Sequence, residues 1–214
     1  MKQVKIYKRF ERFWHWTQAS LIIFLAVTGF EIHGSLKLFG FEKAVSFHQN
    51  ASYALLGLIV FAIFWHFTTG EWKQYIPTTR KLIDQIQFYS VGMFKGERHP
   101  VNKTELSKLN PLQRLVYLGF KIVLIPVAVV TGLLYMFHKT ININDIVVIR
   151  GFDLEIIAVL HTSVAFLLLA FLILHVYMTT TGHTPLSNIK AMITGYEELE
   201  QEEEQQQPEK ENIS

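Results

Sequence analysis

The chain has no cysteine. That absence excludes disulfides, thiolate zinc and iron–sulfur sites, and haem attached covalently through a Cys-x-x-Cys-His motif. Any redox centre must therefore be held by other side chains and without a covalent link. No internal repeat of fixed period is present, and no segment has the make-up of a separate catalytic domain. No small-residue cleavage site follows the first apolar segment, which is itself long enough to span a bilayer, so a cleavable signal peptide is not expected. The net charge of +2 says little about partners, because the basic residues here set topology, and nothing points to nucleic acid.

What is present is apolar. Of 214 residues 50% are hydrophobic, the composition of a membrane protein rather than a soluble domain. Four stretches, 13–32, 47–67, 112–137 and 155–179, each approach the roughly 20 residues that a bilayer demands. The third carries Lys121 in its first turns and Pro126 further on. Lys2, Lys5, Lys8, Arg9 and Arg12 precede the first stretch, and Lys73, Arg80, Lys81, Lys95, Arg98, Lys103 and Lys108 fill the loop between the second and third. The other two loops hold only Lys37 with Lys43, and Lys139 with Arg150. Positive charge marks the cytoplasmic side, so both termini are expected inside and the short loops outside. The fold expected is all-α, a four-helix bundle spanning the bacterial inner (cytoplasmic) membrane.

The long loop has helical structure of its own. Leu82, Ile86, Tyr89 and Met93 recur at helical spacing, which reads as an amphipathic helix on the membrane surface ended by Gly96. A second interfacial helix is expected after the fourth span, with Thr184 as cap, Pro185 at its first position and Gly195 as its stop. The bundle domain then covers 1–196. Residues 197–214, acidic, rich in glutamine and free of aromatics, read as a disordered cytoplasmic tail.

His161 and His175, fourteen residues apart on the fourth stretch, are the most informative pair. Helical geometry puts them within roughly 40° of one face and roughly 21 Å apart along the axis. Ionisable rings at that depth are costly and usually functional. Sorted by side, His15, His66, His175 and His183 are cytoplasmic with His99 in the loop, and His33, His48, His138 and His161 are periplasmic. A b-type haem with two axial imidazoles takes one histidine from each of two facing helices at matching depth. His175 then pairs with His15 or His66, and His161 with His48 or His33. Two haems, one above the other, follow. Trp14, Trp16, Trp65 and Trp72 read as aromatic-belt anchors, and Gly29, Gly57 and Gly132 as places where helices pack closely or admit a flat macrocycle. Arg114 and Lys121 share a face and either snorkel to headgroups or pair with haem propionates or a quinone headgroup. Arg9, Arg12 and Arg150 are further propionate candidates.

Arg12-Phe13-Trp14-His15-Trp16 opening the first span, Thr28-Gly29-Phe30 closing it, His48 opening the second, and the His161/His175 pair resemble the di-haem cytochrome b subunits. These cytochrome b561-like proteins anchor bacterial formate dehydrogenases, nickel–iron hydrogenases and thiosulfate reductases in the membrane. The resemblance implies that His15 with His175 holds the cytoplasmic haem b and His48 with His161 the periplasmic one, with His66 the runner-up on the cytoplasmic side. Asn110 and Gln113 are similar to the family's short Asn-x-x-Gln-(Lys/Arg) segment, where quinone binds beside the cytoplasmic haem, and His66 is a further quinone candidate. Pro111 departs from that pattern and equally suits a helix capped by Asn110. The function implied is electron transfer between the menaquinone or ubiquinone pool and a periplasmic iron–sulfur or multihaem cytochrome c subunit, within an anaerobic respiratory complex that can form higher oligomers. A stand-alone di-haem cytochrome that reacts directly with a small molecule is the alternative. A redox-inactive module binding a transported metal ion is a third, which a missing b-haem α band would favour.

Overall fold

The computed structural model describes residues 2–96, 108–138, 153–182 and 184–199. His99, Arg150 and His183, and the acidic segment from residue 200 on, lie outside the described residues. Strand β1 (Lys2–Lys5) leads into α1 (Arg9–Ile32) and α2 (Phe41–Thr69), followed by a 3-10 turn (Glu71–Tyr75), α3 (Leu82–Ser90) and a second 3-10 turn (Gly92–Lys95). The third span is α4 (Pro111–Gly119), a π-turn (Phe120–Leu124) and α5 (Ile125–Met136); then come α6 (Leu154–Thr179), α7 (Ser187–Thr194) and β2 (Tyr196–Leu199).

Four helical segments of 24, 29, 26 and 26 residues exceed the roughly 20 that cross a bilayer. Their ends therefore reach into the interface, where Arg9, Glu42 and Glu155 sit. Phe61, Phe64, Phe67, Ile173 and Leu174 are among the large side chains that point outward. In water such a surface would be costly, but in hydrocarbon it is the expected outer face.

The bundle is two hairpins. α1 packs on α2 and α5 on α6, while the backbones of the two hairpins stand further apart. The turn between α1 and α2 is organised by Glu31, which is buried. Its Oε1 accepts the backbone N–H groups of Leu38, Phe39 and Gly40 at 2.9, 2.7 and 2.8 Å. Gly40 is the N-cap of α2, so the carboxylate occupies the place where helix donors lack partners and the helix dipole favours negative charge.

Pro126 accounts for the π-turn. A proline inside a helix donates no N–H and its ring crowds the carbonyl four residues back, here Ile122. The wider turn relieves that conflict, and Ile125 N–H donates to the Phe120 carbonyl five residues behind it. Lys121 lies in this turn.

At the basic end β1 and β2 pair antiparallel, from Lys2 with Leu199 to Lys5 with Tyr196. The pairing takes in Glu197, which lies opposite Val4, a long-range partner that composition alone does not reveal. The interfacial helix α7 begins later than expected. The Thr184 carbonyl accepts both the Ser187 N–H and its hydroxyl, at 3.1 and 2.8 Å, closing a turn before the helix and leaving Leu186 as N-cap. At the other end of α7, Arg12 and Trp16 of α1 donate to the Ile193 and Met192 carbonyls, which have no partner within the helix. Ile6 and Tyr7 N–H groups share the Gly195 carbonyl. Gly195 has φ 91°, and a Cβ there would stand 2.9 Å from the Tyr7 carbonyl oxygen, so both conformation and space require glycine.

Candidate redox site

Two histidine pairs reach from one hairpin to the other. At the basic end His15 of α1 faces His175 of α6 with ring centres 6.1 Å apart and planes at 51°. At the far end His48 of α2 faces His161 of α6 at 6.4 Å and 78°. An imidazole nitrogen binds a first-row metal ion at about 2 Å and lies about 1 Å from its ring centre, so two rings sharing one ion stand roughly 6 Å apart. Both pairs match that spacing. Among the described residues no three metal-ligating side chains converge, so each pair offers two imidazoles, fewer than the four ligands of a closed zinc cage.

The rings are held by matching devices. Thr28 of α1 and Thr131 of α5 place their hydroxyls 2.9 Å from His48 Nδ1 and 3.1 Å from His161 Nδ1. Each hydroxyl proton already has an acceptor four residues back, the Phe24 carbonyl at 2.9 Å and the Val127 carbonyl at 2.6 Å. The remaining lone pair can only accept, so each Nδ1 carries the proton and donates it. Nε2 is then the bare nitrogen, the form that binds metal. The residue after each threonine is glycine, and it makes room for the same ring. A Cβ on Gly29 would lie 3.6 Å from His48 Cε1, and one on Gly132 only 3.1 Å from His161 Cε1. Gly57, by contrast, has nothing within 4 Å. Sequence reasoning missed both threonines as site residues. The signal was there, because Val27-Thr28-Gly29 recurs as Val130-Thr131-Gly132.

At the basic end the devices differ. Tyr117 OH lies 3.2 Å from His175 Nδ1, and Phe171 stacks on the His175 ring with planes at 11° and on Phe120 of the π-turn. His15 Nδ1 is buried without a hydrogen-bond partner.

The other described histidines stand apart from these pairs. His66 is buried, its Nδ1 lies 2.7 Å from the Ala62 carbonyl, and its ring meets Trp14, Trp65 and Tyr75 rather than His175. His33 Nε2 meets the Thr162 hydroxyl at 3.0 Å, and His138 Nδ1 the Tyr135 carbonyl. The geometry thus brings His15 to His175 and His48 to His161. Of the cationic candidates, Arg12 is turned to α7, Arg114 Nε donates to the Leu109 carbonyl, and Lys121 lies over the rings of Tyr75 and Trp14.

Asn110 and Gln113 form a reciprocal capping box. Gln113 N–H donates to Asn110 Oδ1 at 2.8 Å and Asn110 N–H to Gln113 Oε1 at 3.1 Å, while Asn110 Nδ2 donates to Tyr89 OH. Burial raises the Tyr89 phenol above its ordinary pKa, against the Asn110 hydrogen bond, which lowers it. Both amide oxygens are therefore committed to starting the third span.

Residues 6–195 match the family described as prokaryotic cytochrome b561. Cytochrome YdhU of Escherichia coli (strain K12) is 28% identical over 200 residues, which cover 91% of this chain and 75% of its relative. No solved structure matches the chain. With the match running from the end of β1 through α7, the chain belongs to the cytochrome b561 family of membrane-integral cytochromes b, which bind b-type haem and carry electrons.

Proposed function

We propose that this protein passes electrons across the bacterial inner membrane between the quinone pool and a redox partner at the periplasmic face, through two b haems. His15 and His175 would hold the one at the cytoplasmic, basic end, and His48 and His161 the one at the periplasmic end. The observation that carries this reading is the two cross-hairpin imidazole pairs at metal-sharing distance. Bound between such rings, haem b supplies a one-electron iron couple.

The chain's own part is positional. Thr28 and Thr131 hold His48 and His161 in the ligating tautomer, and Gly29 and Gly132 keep the space beside them open. Tyr117 and Phe171 orient His175. α6 sets the two pairs roughly 21 Å apart along its axis, most of the bilayer's thickness. The wall of apolar side chains excludes water from both. In this reading the terminal substrate belongs to a partner, an iron–sulfur or multihaem cytochrome c subunit of a respiratory complex.

The purified protein, reduced with dithionite, should show a b-type α band and two haems per chain by pyridine haemochrome assay. One haem or none would overturn the reading. Thr131→Val should keep the His161 haem but loosen it by about 10- to 100-fold, the usual cost of removing a partner from a ligating histidine. Transfer of haem to apomyoglobin measures this, and an unchanged transfer rate would deny the threonine its role.

A further inference from the structure

Beside the cytoplasmic histidine pair, four residues from separate elements form a second polar cluster at the cytoplasmic edge of the bundle. Trp14 of α1 precedes His15. Its ring meets His66 of α2 edge-on at 5.2 Å, and the His66 ring meets Tyr75 of the following 3-10 turn at 5.6 Å. Lys121, in the π-turn, sets its Nζ 3.3 Å from the Tyr75 ring centre and 5.0 Å from that of Trp14. Among the described residues no carboxylate pairs with Lys121. π-turns inside helices are rare and frequently mark functional sites.

Several polar atoms of this box are unspent. Trp14 Nε1 is buried with no acceptor, which is costly unless something else supplies one. His66 spends Nδ1 on the Ala62 carbonyl at 2.7 Å. A carbonyl can only accept, so Nδ1 donates and Nε2 is left as a bare acceptor. Burial, and then the Glu11 carboxylate, hold the Tyr75 phenol above its ordinary pKa, so its hydroxyl stays neutral. The box thus offers three donors, Trp14 Nε1, the Lys121 ammonium and the Tyr75 hydroxyl, which can also accept, together with the His66 Nε2 acceptor and aromatic faces.

That inventory discriminates between ligands. A phosphate or a carboxylate would be attracted by Lys121 but repelled by the lone pair of His66. A lipid-soluble ring with oxygens at opposite ends suits all of it: one oxygen accepts from Trp14 or Lys121, while a hydroxyl donates to His66 Nε2. Ile122 and Val123, which follow Lys121, are 62% and 51% exposed, so the turn that carries Lys121 borders the lipid.

We propose that the quinol headgroup binds in the box of Trp14, His66, Tyr75 and Lys121, rather than at the Asn110–Gln113 cap. This rests on the quinone reading above. The test uses the haem-loaded full chain in membranes, with decylubiquinol and menadiol as reductants and a short-chain azido-ubiquinone as photolabel. Lys121→Met and Trp14→Phe should each raise the quinol concentration for half-maximal haem reduction about tenfold, as the loss of one buried hydrogen bond gives. Haem content and dithionite-reduced spectra should not change, Lys121→Arg should stay close to wild type, and Gln113→Ala should have no effect. The photolabel should fall on the peptides bearing Trp14 or Lys121, which keeps the proposal testable if a variant fails to fold. Normal kinetics in Lys121→Met and Trp14→Phe, or a label confined to residues 108–114, would overturn it. A wild-type protein that holds two haems but is reduced by neither quinol would instead sink the quinone reading itself.

Discussion

Replacing His161 by alanine should leave one haem per chain instead of two, and His175→Ala should do the same at the other end. Each removes one of only two metal ligands at its site, since among the described residues no third ligating side chain converges there. Each also leaves the facing imidazole, His48 or His15, without its opposite ring in a low-dielectric interior. The two losses should be independent. The far-end pair draws on α2 and is steadied by Thr28 and Thr131, whereas the basic-end pair draws on α1 and is steadied by Tyr117. With no shared partner and roughly 21 Å between rings along α6, effects should add, so the double variant should carry no haem. His48→Ala should match His161→Ala in haem content and in the potential of the haem that remains, and His15→Ala should match His175→Ala. His66→Ala should keep both haems, because its ring does not reach His175. Two haems retained in His161→Ala or His175→Ala would contradict the pairing. One haem lost in His66→Ala but not in His15→Ala would reassign the cytoplasmic ligand.

The bundle and its four histidines were legible because each depends on a strong local signal. Long apolar runs, basic loops and a fourteen-residue spacing need no knowledge of neighbours, and the Asn110–Gln113 capping box is likewise a local pattern. The choice between His15 and His66, or between His48 and His33, was not legible from spacing. His15 and His33 are eighteen residues apart, as are His48 and His66, so each such pair shares one helix face and only the packing of the hairpins selects a member. The supporting residues were hidden for a similar reason. Thr28 and Thr131 look like ordinary helix threonines bonding back to their own helix until the facing imidazole is seen. Glu31 looks like a charge at a membrane edge, and only the turn that wraps back onto it shows that it anchors three N–H groups. The same holds for β1 and β2, which pair residues nearly two hundred positions apart.

Lys108→Met should destabilise the protein by about 3 kcal/mol, the usual cost of removing one partner from a buried ion pair, read as a fall in melting temperature in detergent. Lys108 is 6% exposed. Its Nζ lies 2.7 and 2.9 Å from the two oxygens of Glu11 and 3.5 Å from Glu71, and Glu71 is also bound by Lys8 and Gln74. One ammonium therefore neutralises carboxylates from the start of α1 and from the turn after α2, at the entry to the third span. Methionine keeps the volume but leaves two neighbouring carboxylates with less cation than they need. The Lys108→Met/Glu11→Gln double variant should recover part of the loss, and a cycle without coupling would mean that the pair contributes only packing. The same network sets an acid limit. Burial alone would raise the Glu71 pKa, but the Lys8 hydrogen bond and the charges of Lys108 and Lys8 outweigh it and hold the carboxyl below its ordinary 4.5. A group depressed on folding contributes stability above its unfolded pKa and loses it as pH falls through the folded value. Melting temperature should therefore hold above about pH 5 and drop on further acidification. In Glu71→Gln that acid-dependent drop should shrink, whereas an unchanged pH profile would assign it to other carboxylates.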